Sequence, residues 1–292
     1  MSKTLSGRFF CQAASNSETV LRFISEWSFS GMSEFQSYEI VQSPDLGTCV
    51  IIDGDLQSTE LDCATYHEAL VHPAMLSSPK RPRTVLICGG GEGATLAEVL
   101  KYNSVERVVM VDIDEAFIKD CIKYLPEWSK GAFDDPRLEL RCEDIFAYLA
   151  TCTEEFDVII GDLTDVIEEC APGLSFHNSS FYKRLRGLLS PRGILSTQAS
   201  ALSLLDYKTH NYIRSSIQKS FAEVQSYRAH HDSFKVPWSF ILASDALESS
   251  HLKRMVLFEQ GLDQNQINLE HFDGTSLAAS FILEKRIRDK LV

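Results

Sequence analysis

The hydrophobic pattern of the chain changes near residue 80, from short strands to a regular alternation of strands and helices. Strand-like stretches occupy 34–43 and 48–52, and Asp53-Gly54 after the second is a signal for a type I′ hairpin turn. The tract 61–75 predicts a helix that stops near Pro73. We therefore expect a small N-terminal β domain over 1–75 and a larger domain over 76–292.

From residue 84 onward, short apolar runs alternate with amphipathic stretches. The pattern predicts five strands and four helices, the strands at 84–88, 107–111, 138–142, 156–160 and 193–197, and the helices at 92–100, 115–125, 181–189 and 206–221. Two last strands, 224–229 and 238–243, have no helix between them and predict an antiparallel hairpin at one edge. The expected fold is α/β, a doubly wound and mostly parallel seven-stranded sheet typical of adenosylmethionine-dependent, methyltransferase-like Rossmann folds.

A glycine-rich turn separates the strand 84–88 from the helix predicted at 92–100. Its glycines are Gly89, Gly90, Gly91 and Gly93. Glycine lets the backbone turn sharply and approach a ligand, and the start of a helix offers free N–H groups. We therefore expect a loop that binds a nucleotide or nucleoside. The spacing fits both the dinucleotide fingerprint and the loop of adenosylmethionine-type folds, so it leaves the ligand open.

Carboxylates follow the ends of the predicted strands, where open parallel sheets bind their ligands. Asp112, about twenty residues past the glycines, is placed to accept both hydroxyls of a ribose, whereas Asp114 suits a helix N-cap. Asp144 is placed either to meet an adenine amino group or to cap the helix that follows. Asp162 and Asp165 share one loop and repel each other unless a cation or a proton lies between them.

Glu92 discriminates among nucleoside ligands because it stands inside the glycine-rich turn. A pyrophosphate at the helix start would be repelled by about 4 kcal/mol, for two charges ~4 Å apart at an effective dielectric constant of about 20. A ligand that ends in an amine or a sulfonium suits this position. The carboxylates together predict a positively charged adenosine derivative beside a second substrate that carries an amine.

Composition narrows the choice further. The net charge of −13 over 292 residues argues against binding to nucleic acid or to anionic membranes. No apolar run is long enough to span a membrane, the N-terminus lacks the apolar core of a signal peptide, and the eight cysteines contain no Cys-x-x-Cys pair. These features predict a cytoplasmic protein with reduced thiols. His67 and His72 are off the i, i+4 spacing of two ligands on one helical face, so we expect no metal.

The ordered motifs of residues 34–245 resemble those of the spermidine synthase family of aminopropyltransferases. They are EFQ (34–36), DGDLQSTELD (53–62), YHEALVHPA (66–74), GGGEG (89–93), VDID (111–114), DDPRLEL (134–140), ED (143–144), GDLTD (161–165), FY (181–182), LSPRGILSTQ (189–198) and ASD (243–245). Within this family, GGGEG, VDID, GDLTD and ASD look most similar to thermospermine synthases. The resemblance implies transfer of a 3-aminopropyl group from decarboxylated S-adenosylmethionine, a co-substrate rather than a cofactor, to a polyamine, leaving methylthioadenosine.

The resemblance also implies roles for residues of the donor site. Gln36 and Asp112 would hold the nucleoside, Asp112 through the ribose, and Asp144 would hold the adenine. Three more residues would line the methionine-derived arm of the donor: Gln57, His67 and Glu92. Glu92 would bind the terminal amine of that arm.

At the acceptor, the resemblance implies that Tyr66, Asp162 and Asp165 surround the attacking amine. An amine with a pKa near 10 is protonated at pH 7, so Asp162 would accept its proton while Tyr66 orients the nitrogen. The chain departs from the family at Val166, where proline is usual, and along 167–180. Glu168 and Glu169 in that stretch would meet the distal ammonium of a longer polyamine or form an exposed charge run. Tyr227 and Trp238 would wall the acceptor groove or pack in the core.

We therefore expect an enzyme that converts spermidine to thermospermine. A spermidine synthase that uses putrescine is the first alternative, followed by a methyltransferase for a small amine and by a silent partner that binds nucleoside and regulates a homologue. The resemblance implies a homodimer or homotetramer with the N-terminal β domain at an interface.

Overall fold

The computed structural model describes residues 8–15, 18–163 and 176–291. Its N-terminal part contains six strands: β1 (Arg8–Ser15), β2 (Glu18–Ile24), β3 (Glu26–Met32), β4 (Ser37–Ser43), β5 (Gly47–Ile52) and β6 (Asp55–Thr59). Strands β1 and β2 form a separate antiparallel hairpin, and β3 to β6 form a four-stranded antiparallel sheet in sequence order. The predicted type I′ turn is confirmed, since Asp53 and Gly54 have φ angles of 49° and 85°.

The rest of the described chain builds one large sheet with helices on both faces. Its strands are β7 (Thr84–Gly89), β8 (Arg107–Asp112), β9 (Leu138–Cys142), β10 (Phe156–Asp162), β11 (Leu189–Ala201), β12 (Glu223–His231) and β13 (Val236–Ser244). The helices are α1 (Cys63–Ser77), α2 (Ala94–Leu100), α3 (Glu115–Tyr124), α4 (Pro126–Ser129), α5 (Ile145–Thr151), α6 (Ser179–Gly187), α7 (Lys208–Gln218), α8 (His251–Asn265), α9 (Gly274–Ala279) and α10 (Lys285–Arg288).

The order of strands in this sheet is β12-β13-β11-β10-β7-β8-β9. Strands β7 to β11 are mutually parallel, and β13 is antiparallel to both of its neighbours. The predicted α/β fold, its seven strands and the antiparallel hairpin at the edge are all confirmed. Parallel strands point their carboxyl ends to one edge, which gathers the ends of β7, β8 and β10 there.

The central strands are apolar on both sides because each face is covered by helices. On β7, Val85 and Ile87 join a core cluster that contains residues of α1, α2, α8 and α9, whereas Leu86 and Cys88 join a second cluster with α5, α6 and α7. All four side chains are fully buried. Burial of each contributes roughly 1.5–3 kcal/mol, so β7 is a rigid support for the glycine-rich turn that follows it.

Helix α1 does not end near Pro73, as the sequence suggested, but continues to Ser77 with the proline inside it. Proline lacks the N–H that would bond to the carbonyl four residues earlier, and that carbonyl belongs to Ala69. The hydroxyl of Tyr227 donates to the Ala69 oxygen at 2.8 Å, and Ser196 Oγ donates to the next carbonyl, that of Leu70, at 2.6 Å. Side chains of the large sheet thus supply what the proline removes, and the helix persists.

Other boundaries also shift. Helix α2 begins at Ala94 rather than at residue 92, so Glu92 lies in the turn, and β4 begins at Ser37 rather than at 34. The predicted hairpin turn at Asp53-Gly54 implied β6, whereas strands β1 to β3 and helix α5 were not predicted. The division of the chain at residues 75 and 76 stays a prediction.

The C-terminal tail, which the sequence did not place, forms α8 to α10 and is fastened to α1. The buried carboxylate of Glu68 accepts hydrogen bonds from the backbone N–H groups of Glu270, His271 and Phe272, the last two at 3.1 and 3.0 Å. A buried charge is stable only when it is hydrogen-bonded in this way. Among the described residues, no helix is long and apolar enough to cross a membrane.

The cysteines of the described ranges are free thiols. Cys49, Cys88 and Cys121 are buried, whereas Cys11 and Cys142 are exposed.

Candidate active site

The carboxylate of Asp162, the last residue of β10, is held through both of its oxygens. The hydroxyl of Tyr66 donates to Oδ1 at 3.0 Å, and the hydroxyl of Thr95 donates to Oδ2 at 2.6 Å. Tyr66 comes from α1 and is half-buried, whereas Thr95 comes from the first turn of α2 and is fully buried. The two helices therefore fix the orientation of one carboxylate at the carboxyl end of the sheet.

The glycine-rich turn passes directly over Asp162, and this close approach explains two of its glycines. Gly89 has a φ of 83°, and a Cβ there would lie 2.2 Å from the backbone oxygen of Asp162. Gly90 has a φ of 84°, and its Cβ would lie 3.3 Å from Oδ2 of the same residue. Only glycine meets both the left-handed backbone and the lack of space.

Glu92 lies in the same turn, half-buried beside the N-terminal sheet. Burial raises the pKa of its carboxyl to about 8, and the negative charge of Asp162 adds to the shift, whereas hydrogen bonds with Ser58 of β6 and Trp128 of α4 oppose it. The Trp128 indole also donates to Ser58 Oγ at 2.8 Å. The N-terminal sheet thus completes the surroundings of a carboxyl that belongs to the large sheet.

Asp112 ends β8 next to Gly91. A Cβ on Gly91 would lie 3.0 Å from its Oδ2, and the backbone N–H of Asp114 donates to its Oδ1 at 2.9 Å. Burial raises the pKa of Asp112 to about 6, against the hydrogen bonds from the backbone of Asp114 and Gly91. Asp114 itself caps α3, as predicted, and accepts a hydrogen bond from the amide of Gln36 at 3.0 Å. Gln36 therefore reaches Asp112 only through Asp114.

Glu92, Asp112 and Asp162 form one electrostatically coupled group of carboxyls, because the charge of Asp162 raises the pKa of each of the other two. Within the described ranges, none of the three is part of an ion pair with a lysine, arginine or histidine. Carboxylates left in this state favour a cationic ligand, which neutralises them.

Two further predicted residues lie on α1 and β6, the elements that supply Tyr66 and Ser58. His67 is buried on α1, and its Nδ1 lies 2.8 Å from the Cys63 carbonyl, while its ring packs edge-on against Tyr66 at 4.9 Å. Gln57 is the extra residue of a β-bulge in β6, because Leu56 pairs with Ile51 and Ser58 pairs with Val50. Bulges re-aim side chains beside functional sites.

Of the remaining candidates before residue 170, only Asp144 lies within the described ranges. Asp144 is exposed and caps α5, accepting a hydrogen bond from Phe146 N at 2.6 Å. Asp165, Val166, Glu168 and Glu169 lie outside the described residues.

Of the two aromatic candidates, one packs in the core. Tyr227 is fully buried and stacks on Phe281 at 4.2 Å, so it does not wall a groove. Trp238 is half-buried beside Phe234, with ring centroids 5.0 Å apart.

Sequence reasoning missed Thr95, Ser58 and Trp128. Thr95 has a weak signal, since a hydroxyl in the first turn after a glycine-rich loop faces the ligand edge of the sheet. Ser58 and Trp128 carry no such signal, because they come from elements far apart in the chain.

Comparison with known proteins gives a consistent result. The family described as "Spermine/spermidine synthase domain" matches residues 63–252. The chain is 38% identical to a polyamine aminopropyltransferase of Aeropyrum pernix over 97% of its own length and 90% of that protein's. It is 38% identical to polyamine aminopropyltransferase 2 of Pseudomonas aeruginosa, over 89% and 74% of the respective lengths.

Solved structures agree with this relationship. A spermidine synthase from Thermotoga maritima superposes with a TM-score of 0.87 at 29% identity, and the match covers 100% of this chain and 97% of the other. A spermidine synthase in complex with the transition state analogue AdoDATO gives the same TM-score and identity, with 100% and 98% coverage.

Proposed function

The chain belongs to the spermine/spermidine synthase family of polyamine aminopropyltransferases, and on this premise we propose that it converts spermidine to thermospermine. The aminopropyl donor would be decarboxylated S-adenosylmethionine. The observation that carries the proposed aminopropyl transfer is the Asp162 carboxylate, which Tyr66 and Thr95 hold beside the carboxyls of Glu92 and Asp112, none of them in an ion pair among the described residues.

The donor would lie along the glycine-rich turn. Asp112, placed against Gly91, would accept the ribose hydroxyls, with Gln36 supporting it through Asp114. Glu92 would bind the terminal amine of the aminopropyl arm, and His67 and Gln57 would border that arm. Asp144, which is exposed and caps α5, would meet the adenine at the end of β9.

Decarboxylation explains why Glu92 suits this donor. The arm of the decarboxylated compound ends in an amine alone, so Glu92 meets only positive charge. Intact S-adenosylmethionine would bring an α-carboxylate close to Glu92, and two like charges at short range repel by several kcal/mol. The methyltransferase alternative therefore ranks behind the aminopropyltransferase.

The reaction requires a neutral amine, because the lone pair of an ammonium is occupied by a proton. Asp162 would accept that proton, and Tyr66, bonded to its Oδ1, would hold the nitrogen toward the carbon next to sulfur. The nitrogen–carbon bond forms as the carbon–sulfur bond breaks, and the sulfur leaves as the neutral thioether of methylthioadenosine. The rest of the catalysis is positioning for an in-line displacement.

The choice of acceptor is supported by the motifs GGGEG, VDID, GDLTD and ASD, which are similar to those of thermospermine synthases. Incubation with the decarboxylated donor and, in turn, spermidine and putrescine tests this choice. We expect methylthioadenosine release to be fastest with spermidine and the product to elute with thermospermine. Spermine has the same mass, so chromatographic retention must separate the two.

Faster turnover with putrescine would replace the proposal by the spermidine synthase alternative. Faster turnover with intact S-adenosylmethionine would favour a methyltransferase. Absence of methylthioadenosine with every polyamine would leave only the silent partner.

Thr95 offers a test of how Asp162 is oriented. Thr95→Val keeps the shape of the side chain but removes the hydroxyl that donates to Asp162 Oδ2. We expect kcat to fall about tenfold, the equivalent of one hydrogen bond to a charged group, with the donor KM nearly unchanged. Thr95→Ser, which keeps the hydroxyl group, is the matched control and should retain most of the activity. Wild-type kcat in Thr95→Val would show that Tyr66 alone orients the carboxylate.

A further inference from the structure

His231 is the last residue of β12, and it lies at the same end of the large sheet as Asp162, the end where the parallel strands finish. Strand β12 runs parallel to β11, since both are antiparallel to β13, so its end points to the carboxyl edge. The Ala229–Trp238 pair is level with Ala201, the last residue of β11, and His231 is two residues beyond it. His231 therefore extends past the end of the sheet on the side of the candidate site.

The imidazole is enclosed by aromatic rings, one of which belongs to the candidate site. Its centroid is 6.0 Å from Tyr66 and 6.5 Å from Phe240, and it stacks on Phe234 at 5.3 Å. Only 1% of His231 is exposed. Tyr66, its neighbour, donates a hydrogen bond to the Asp162 carboxylate. His231 is thus one ring away from the proposed base.

One nitrogen of His231 has its hydrogen-bonding capacity unused. Nδ1 lies 3.2 Å from the carbonyl oxygen of Ala229, and because a carbonyl only accepts, Nδ1 carries the proton. Burial lowers the pKa of His231 to about 4, with the charge of Asp62 opposing the shift, so the ring is neutral at pH 7. Nε2 then presents a lone pair, and it has no hydrogen-bond partner among the described residues.

A buried polar atom without a partner is rare in folded proteins and costly to keep. The carboxylate of Asp62, whose charge acts on this imidazole, is not the missing partner, because a carboxylate and the Nε2 lone pair both accept. Asp62 accepts from Ser233 N at 2.9 Å, from Ser233 Oγ at 2.8 Å and from Thr59 Oγ1 at 2.7 Å. A ligand that donates a hydrogen bond would satisfy Nε2.

We propose that His231 Nε2 accepts a hydrogen bond from an N–H group of the bound polyamine acceptor, which makes His231 a residue of the acceptor site. The inference rests on the proposed aminopropyl transfer and adds a contact to it. A polyamine at neutral pH is a chain of methylene groups with ammonium donors at intervals. The rings of Phe234 and Trp238 suit the methylene groups, and a neutral imidazole nitrogen suits the donor.

The role is confined to binding. His231 reaches Asp162 only across the Tyr66 ring, so it holds the acceptor in the ground state and the transition state alike. Its loss should raise the KM for the acceptor and leave kcat and the donor KM unchanged.

The experiment compares wild type with His231→Phe, which keeps a ring against Tyr66 and Phe234 but lacks the nitrogen. We expect the KM for spermidine to rise about tenfold or more, the equivalent of one hydrogen bond to a charged donor. His231→Gln, whose amide oxygen can accept, should recover part of the affinity. The matched control is His230→Gln, since the neighbouring His230 side chain is 66% exposed and should not matter.

A second measurement uses wild type alone and does not depend on how the variants fold. In protein with ¹⁵N-labelled histidine and methylthioadenosine bound, the resonance of the unprotonated His231 nitrogen should shift on addition of spermidine as it accepts the hydrogen bond.

The outcomes separate this inference from the proposed function. If wild type transfers the aminopropyl group but His231→Phe has wild-type KM values for every polyamine, or the resonance does not move, the inference is wrong and the proposed function stands. If wild type transfers to no polyamine and spermidine leaves the resonance unchanged, both are wrong. A change in kcat with the acceptor KM unaltered would also overturn the inference, because it would assign His231 to positioning of Tyr66.

Discussion

Asp162→Asn is expected to lower kcat by about 10²–10⁴-fold, the range by which a positioned general base accelerates a reaction. The amide fits the space of the carboxylate but cannot accept the proton of the attacking ammonium. One of the hydroxyls of Tyr66 and Thr95 can still donate to the amide oxygen, and the other can accept from the amide NH2 group, so the site should keep its shape. The affinity for the donor should change little, because the proposed role of Asp162 is toward the acceptor amine.

Single-turnover kinetics with the decarboxylated donor, together with calorimetric titration of the donor, measures the two quantities separately. Asp263→Asn on the exposed surface of α8 removes one negative charge without touching the site and serves as the control. Turnover at the wild-type rate in Asp162→Asn would exclude this residue as the base. A loss of donor affinity equal to the loss of kcat would instead assign it to the donor.

Glu92→Gln is expected to raise the KM for the donor by about a hundredfold, since it removes the charged partner of a buried ammonium. The KM for the acceptor should stay close to the wild-type value. Glu127→Gln, on the exposed first turn of α4, is the matched control for a lost glutamate charge. An unchanged donor KM in Glu92→Gln would mean that the amine of the donor binds elsewhere.

The pH dependence follows from the raised pKa of Glu92, about 8 in the free protein. Below pH 8 the carboxyl is mostly protonated, and binding of a cation must expel that proton. The dissociation constant of the donor should therefore fall by up to about tenfold per pH unit between pH 6 and 8, and level off above pH 8. Calorimetry in buffers of different ionisation enthalpy should detect the released proton, and Glu92→Gln should abolish this release.

The free energy of unfolding should fall with rising pH, whereas the affinity for the donor rises. The folded protein holds the Glu92 proton between the ordinary pKa of 4.5 and about 8, whereas the unfolded chain has lost it. This group therefore stabilises the fold at low pH, and the contribution is lost as pH rises through 8. Glu92→Gln keeps a neutral side chain at all pH values, so its melting temperature relative to wild type should be higher at pH 9 than at pH 5. A difference that does not vary with pH would argue against the raised pKa.

The sequence was informative wherever a function depends on neighbouring residues. Four glycines between an apolar strand and a helix predicted the ligand loop, and the structure shows that Gly89 and Gly90 are required by the approach of Asp162. Periodicity predicted strands at 107–111 and 156–160, one and two residues short of Asp112 and Asp162, which end β8 and β10. The loop and the strands depend on backbone preferences that act over a few residues, so a single stretch of sequence is enough to predict them.

Pro73 shows why other features were not predictable. Locally, the proline forecasts the end of a helix, but the carbonyl that it leaves unpaired finds the hydroxyl of Tyr227, 158 residues later. The same holds for Thr95, which bonds to a side chain 67 residues away, and for the packing of Trp128 and Ser58 around Glu92. No periodicity encodes such partners.

The amino-acid sequence by itself determined the seven strands of the large sheet, the glycine-rich turn and the acidic residues at the ends of the strands, because these depend on backbone geometry and on short-range polarity. The tertiary structure alone decided which hydroxyls hold Asp162, how far burial raises the pKa of Glu92, and that His231 stands beside Tyr66 with one nitrogen unpaired. Hydrogen bonding and desolvation depend on distances between atoms, and only the folded chain sets those distances.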